Sequence, residues 1–169
     1  MLLRNKVQTL VLSLILALSI VSCDNSFVYD QYTELNGKWL ANEPITFEYE
    51  ATDTIKPYNY FVTTRLNNEY PYNNLFLIVE TQFPNKQITI DTVQYQMAAA
   101  DGTILGNGFS DIKESKLWFK ENVPFSELGK HTFKISQAVR ELGKVDGVKE
   151  LKGITEIGFR IEKINNNNE

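Results

Sequence analysis

Apolar side chains along this chain recur mostly at every second position, the period of a strand with one buried face. Ile45, Phe47, Tyr49 and Ala51 fall on one side of an extended segment, with Thr46, Glu48 and Glu50 on the other. Tyr58 to Leu66 is a second alternating run, rich in the aromatic and β-branched residues that strands favour. Leu75-Phe76-Leu77-Ile78-Val79 is apolar at every position, which predicts a central strand covered on both faces, and Pro84-Asn85-Lys86 ends it. A hairpin partner over Gln87 to Met97 follows. Lys116 to Val123 sets Leu117 and Phe119 against Trp118, and His131, Phe133, Ile135, Gln137 and Val139 alternate again. A last strand is expected from Ile154 to Ile164.

The segments between these runs have turn chemistry. Asn67-Asn68-Glu69-Tyr70-Pro71-Tyr72-Asn73-Asn74 has the Asn and Pro content of a long turn. Asp101-Gly102 is a tight-turn signal, and Gly106 and Gly108 around Asn107 suggest a bulged connection. Residues 141–153 carry Leu142, Val145, Val148 and Leu151 among three glycines, a pattern that allows a helical turn within a loop. The pattern as a whole predicts an all-β fold, an antiparallel β-sandwich of jelly-roll type with seven or eight strands.

The first 22 residues break the pattern. Arg4 and Lys6 precede an apolar stretch from Val7 to Val21, too short for a membrane span of about 20 apolar residues and matched to a secretory signal. It ends at Ile20-Val21-Ser22-Cys23, where a small residue precedes the one cysteine of the chain. That is a lipobox, and it predicts cleavage after residue 22 with acyl chains on Cys23. Each buried methylene of such a chain contributes about 0.8 kcal/mol, so more than one chain gives stable anchoring. With Cys23 lipidated, disulfides, thiolate metal sites and cysteine catalysis are excluded. The expected domains are a signal peptide (1–22), a lipidated N-terminus and tether (23–43), a β-sandwich (44–164) and a polar tail (165–169). Phe27, Tyr29, Tyr32 and Trp39 are costly to leave in water, so part of the tether is expected to pack.

Charge narrows the partners. The chain has 17 Lys plus Arg against 21 Asp plus Glu, and losing Arg4 and Lys6 with the signal makes it more acidic. Nucleic acid, which needs a basic face, is excluded as a partner.

Candidate chemistry is thin. His131 is the one histidine, and no Gly-x-Ser-x-Gly elbow accompanies Ser110, Ser115 or Ser136, so the plainer reading is a polar residue at a strand edge. Glu48, Glu50, Glu80 and Asp91 could supply a glycosidase pair if two stood about 5 to 10 Å apart, but Glu48 and Glu50 sit on the predicted solvent face. Asp53, Asp101, Asn107 and Asp111 are hard-oxygen groups in loops, without the spaced run that calcium's six to eight ligands usually need. Asp111 could equally accept from its own turn. No cofactor or metal is expected.

Tyr70 and Tyr72, with Asn67, Asn68, Asn73 and Asn74, form the candidate contact surface. Exposed tyrosines and amides suit a sugar or, with Tyr enriched at interfaces, another protein. Against that, Tyr70 and Tyr72 could bracket Pro71 to fix a turn, with Tyr58 and Tyr60 facing the core.

Several stretches also resemble the GldH family, gliding-motility lipoproteins of the Bacteroidetes. They are Ser22-Cys23-Asp24, Val28-Tyr29-Asp30, Pro44 to Glu48, Asn67 to Leu75, Thr81 to Asn85, Gly108-Phe109-Ser110-Asp111-Ile112, and Gly153-Ile154 through Gly158 to Glu162. The resemblance implies a non-enzymatic, lipid-anchored accessory or scaffolding component of gliding motility and of the associated type IX secretion. Its partners would be the membrane, through Cys23, and other envelope proteins, with no small-molecule substrate. Only Asp24 is acidic in Asp24-Asn25-Ser26-Phe27, unlike the acid-rich signal for surface exposure in these bacteria, so the expected location is the outer membrane facing the periplasm; Asp directly after the Cys, an inner-membrane retention signal in enterobacteria, is the competing cue. The competing reading is a glycan-binding lipoprotein.

Overall fold

The computed structural model describes residues 26–108 and 110–164, and in them the alternating runs become strands. The signal segment, Cys23, Phe109 and the polar tail lie outside the described residues. The strands are β1 (Phe27–Glu34), β2 (Lys38–Leu40), β3 (Ile45–Ala51), β4 (Pro57–Leu66), β5 (Asn74–Gln82), β6 (Ile88–Gln96), β7 (Lys113–Pro124), β8 (Gly129–Gln137), β9 (Glu150–Lys152) and β10 (Ile154–Lys163).

Eight of them build two antiparallel four-stranded sheets, β1-β10-β4-β7 and β3-β8-β5-β6, and β2 pairs with β9 in a short clasp. Among the long strands the first pairs with the last, the second with the second last, and so inward to the β5-β6 hairpin. This is the winding of a jelly roll, with ten strands in place of the expected seven or eight, because β1 lay in the expected tether and the two clasp strands are too short to show a period.

Inward side chains of the two sheets meet in an aromatic core. Phe159 of the first sheet stacks on Phe133 of the second, ring centroids 4.3 Å apart, and lies 6.1 Å from Phe47 and 6.4 Å from Tyr60. Tyr58 and Tyr60 are buried as their spacing suggested. Each such ring contributes roughly 1.5–3 kcal/mol by leaving water.

Three segments differ from their sequence reading. Within the expected tether, Phe27–Glu34 pairs along β10 and Trp39 is buried with its indole donating to the Glu43 carbonyl at 2.9 Å. The sandwich therefore begins at β1. Here the aromatic residues outweighed the absence of periodicity. Residues 141–149 form turns closed by an Arg140–Gly147 bridge, with no helix. β5 is covered on one face only: Leu75, Leu77 and Val79 are buried, while Phe76 is half-buried and Ile78 is 37% exposed.

Antiparallel winding gives the sandwich two different ends. One carries the start of β1, the end of β10 and the short connections 52–56, 83–87 and 125–128. The opposite end carries the long connections 35–44, 67–73, 97–112 and 138–153.

Candidate functional site

The stretch from Asn67 to Asn74 crosses the long-loop end between the two sheets. The Asn67 side chain accepts from the Glu69 amide at 3.0 Å, and its carbonyl accepts from the Tyr70 amide at 3.1 Å. These bonds turn the chain after β4. Tyr70 then drops into the core, 6% exposed, and donates its hydroxyl to the Asn74 carbonyl at 2.8 Å. The Asn73 carbonyl accepts from the amides of Met97 and Ala98, tying the turn to the end of β6. Asn68 is exposed, with its amide 3.4 Å from Asp111. Tyr70 meets Tyr72 edge-on, at 78°, so the two rings make no flat platform for a sugar.

Of the six residues singled out in this stretch, the fold brings Tyr72 and Asn74 into one depression. Tyr70, Asn67 and Asn73 are taken up by the turn itself. The depression holds about 740 Å³ and is walled by Tyr72 and Asn74, by Phe76 and Ile78 on the outer face of β5, and by the 138–143 loop with Leu142. Leu142 is fully exposed and Val145 is 88% exposed. Burial and the neighbouring Glu141 carboxylate push the Tyr72 hydroxyl above its ordinary range, and the Lys144 ammonium, ion-paired with Glu141, holds that carboxylate below its own. Such a surface offers apolar contact with a polar rim, the make-up of a protein-contact site. Sequence reasoning missed Phe76, Ile78, Leu142 and Val145. Their signal was present: apolar residues on both faces of a strand, and apolar residues in a glycine-rich loop.

The other candidates are dispersed. His131 is 1% exposed rather than at a strand edge, its Nδ1 lies 3.1 Å from the Gly129 carbonyl, and its ring is held between Phe83 and Phe125. It is an inward residue of β8, which the alternation with Phe133 and Ile135 already contained. Glu48 and Glu50 point outward, Glu48 paired with Lys130 at 3.0 Å. Glu80 and Asp91 occupy opposite faces of the second sheet, because Glu80 faces Ile90 in the register while Asp91 faces the buried Val79. Asp91 pairs with Lys120 at 2.9 Å. Asp53 and Asp101 accept from backbone amides of their own turns, which hold both carboxyls below the usual range. Among the described residues no three His, Cys, Asp or Glu side chains converge as metal ligands.

Comparison with known proteins agrees with this chain over nearly its full length. The family model for the GldH lipoprotein matches residues 27–161, that is, from the start of β1 to two residues short of the end of β10. The gliding motility lipoprotein GldH of Flavobacterium johnsoniae is 50% identical over 150 residues, covering 89% of this chain and 93% of that protein. A gliding motility lipoprotein GldH homolog of Christiangramia forsetii is 49% identical over 145 residues, covering 86% and 89% respectively. Among solved structures, the infectious bursal disease virus VP2 subviral particle aligns with a TM-score of 0.41 and 11% identity, over 84% of this chain and 34% of that one. The chain belongs to the GldH lipoprotein family.

Proposed function

We propose that this protein is a lipid-anchored, non-enzymatic component of the gliding-motility apparatus and of the type IX secretion associated with it. It is held through Cys23 in the outer membrane facing the periplasm, and the depression beside Tyr72 receives another envelope protein of that machinery. The observation that carries the reading is half identity to a named gliding-motility lipoprotein across 89% of the chain. The arrangement of the sandwich supports the contact role. The chain enters at Ser26, three residues after Cys23, at the end with short connections, and the Tyr72 depression with its exposed Leu142 lies at the opposite end. A surface held away from the anchor is free to meet a partner.

The test is deletion of the gene in its native host, scoring colony spreading and secreted protein, with complementation by wild type and by Cys23→Ala. Loss of both phenotypes, restored by wild type and poorly by the unlipidated form, is the expected result. Intact spreading and secretion would overturn it and bring forward polysaccharide binding, which a pull-down on envelope glycans would then score.

A further inference from the structure

A second cavity lies between the two sheets, away from the Tyr72 depression and at the end where the chain enters. It holds about 430 Å³ and is lined mainly by aromatic and aliphatic side chains, among them Phe83, Phe119, Phe125 and Phe133. That volume falls in the range of small-molecule sites, about 300–1,000 Å³. It also far exceeds the roughly 10–15 Å³ that a single bridging water occupies. β6 and β7 are the free edges of their sheets, and the Asp91–Lys120 ion pair joins them across the open side.

One polar group in this apolar lining has no partner. His131 lines the cavity, is 1% exposed, and its Nε2 is buried without a hydrogen bond. The tautomer follows from the other nitrogen. Nδ1 lies 3.1 Å from the Gly129 carbonyl, which can only accept, so Nδ1 carries the proton and Nε2 presents a lone pair. A buried acceptor left unpaired is costly, and none of the donors in the wall, among them the hydroxyls of Tyr60, Thr81, Thr89 and Ser126, is hydrogen-bonded to it. What would satisfy it is a ligand with an apolar body and an acidic O–H.

We propose that this cavity binds one hydrophobic carboxylic acid of the fatty-acid class, its carboxyl at His131 Nε2 and its chain among the phenylalanine rings. A carboxyl suits either protonation state. The acid O–H donates to Nε2, or the proton moves to the ring and the carboxylate accepts it back as one half of a charge-assisted bond. The location favours an acyl ligand over other hydroxyl-bearing molecules. Ser26 follows Cys23 by three residues, a reach of about 10 Å, so this end of the sandwich stays close to the acyl chains that anchor it. Val123, 37% exposed at the end of β7, lines the cavity on that side, and Leu128 is exposed in the β7–β8 connection that follows.

The test uses the full-length lipidated protein in phosphatidylcholine liposomes containing a diazirine-labelled palmitic acid. Irradiation is followed by mass-spectrometric mapping of the labelled peptides. Labelling should concentrate on the segments carrying Phe83 and Phe125 to Phe133, saturate at one label per protein, and be displaced by unlabelled palmitate. His131→Phe, which keeps an aromatic ring but loses the acceptor, should weaken displacement at least about tenfold. Thr89→Phe, on the exposed edge strand and lining the cavity, should abolish the labelling by filling the space, and it decides the matter where His131→Phe fails to fold. Labelling scattered over the exposed apolar surface, or unchanged in Thr89→Phe with the thermal transition preserved, would overturn the proposal.

Discussion

Gly153 shows how closely one position can be dictated. Its φ is +80°, and a Cβ added there would sit 2.2 Å from the backbone nitrogen of Tyr70, where only glycine fits. The amides on either side complete the contact: Asn67 donates to the Gly153 carbonyl at 2.9 Å, and Gly153 donates to Gly37 at 2.9 Å. Gly153→Ala should therefore cost about 3 kcal/mol or more in urea unfolding, through backbone clash and left-handed strain together. An unfolding midpoint within error of wild type would show that the turn around Tyr70 can move aside. Tyr95 makes a different prediction at this scale. Burial pushes its hydroxyl up to about 12, and that hydroxyl donates to the Trp118 carbonyl at 2.7 Å across the open side of the sandwich. The folded value lies above the unfolded one near 10, so the unfolded chain releases this proton first as pH rises. The contribution is complete below about pH 10 and is lost as pH climbs toward about 12. In Tyr95→Phe the fall of the denaturation midpoint over that window should be shallower, the remainder belonging to the other tyrosines that burial raises, Tyr60 and Tyr70 foremost. A slope parallel to wild type would remove Tyr95 from the account.

At the scale of elements, β1 and β5 carry two of the three departures from the sequence reading. β1 is an edge strand, yet it closes the first sheet: Tyr29 packs 5.6 Å from Tyr49 and 6.5 Å from Phe159, and Asp30 is ion-paired with the mostly buried Arg160. A mature chain beginning at residue 36 would leave β10 with one free edge and Arg160 without Asp30, keeping only its longer contact with Glu162 at 3.4 Å. That truncation should lower stability by about 3 kcal/mol or more, or abolish cooperative unfolding, where a tether would leave the midpoint unchanged. Circular dichroism during urea titration separates the two. β5 departs in the other direction. Its inner positions bury Leu75, Leu77 and Val79, and nothing in the second sheet's outer layer fully covers Phe76 and Ile78. An edge-on view of β6 extends this patch, with Ile88 and Ile90 exposed opposite Gln82 and Glu80. The first sheet's outer face is built otherwise. Arg65 bridges Glu114 and Glu156 at 2.9 and 2.7 Å, and Lys116 reaches Glu162 at 3.0 Å. The second sheet thus carries an apolar strip along β5 and β6 beside its Glu48–Lys130 pair, which suits contact on that strip.

Across the whole molecule, the winding of the jelly roll separates a short-loop end, where the chain enters, from a long-loop end with the Tyr72 depression. Leu142 and Val145 project from a turn that contributes little to the core, so Leu142→Asp with Val145→Asp should change the unfolding free energy by no more than about 0.5 kcal/mol. On the proposed reading, the same double variant, expressed at wild-type level, should fail to restore colony spreading in a deletion strain. Full restoration of spreading would remove the depression as the contact surface while leaving the anchoring role intact.

Much of this architecture was legible in the residues themselves. Period-two alternation is local and survives without knowledge of neighbours, so β3, β4, β8 and the β5-β6 hairpin follow from it directly. Of the stretches that carried the GldH resemblance, Asn67 to Leu75 forms the turn that leads into β5, and Gly158 to Glu162 lies in the central strand β10. Cys23 and the signal segment stand as readings of the sequence alone, outside the described residues. The sequence could not assign which apolar residues remain uncovered, because burial depends on what another sheet or loop brings alongside. Hence Ile78 was expected inside and lies partly outside, while His131 was expected at an edge and lies in the core. Tyr70 and Tyr72, two residues apart, were one candidate surface on the page of the sequence. Only the tertiary structure, by turning the chain at Asn67 and seating Gly153 against Tyr70, put one in the core and the other at the rim of the depression.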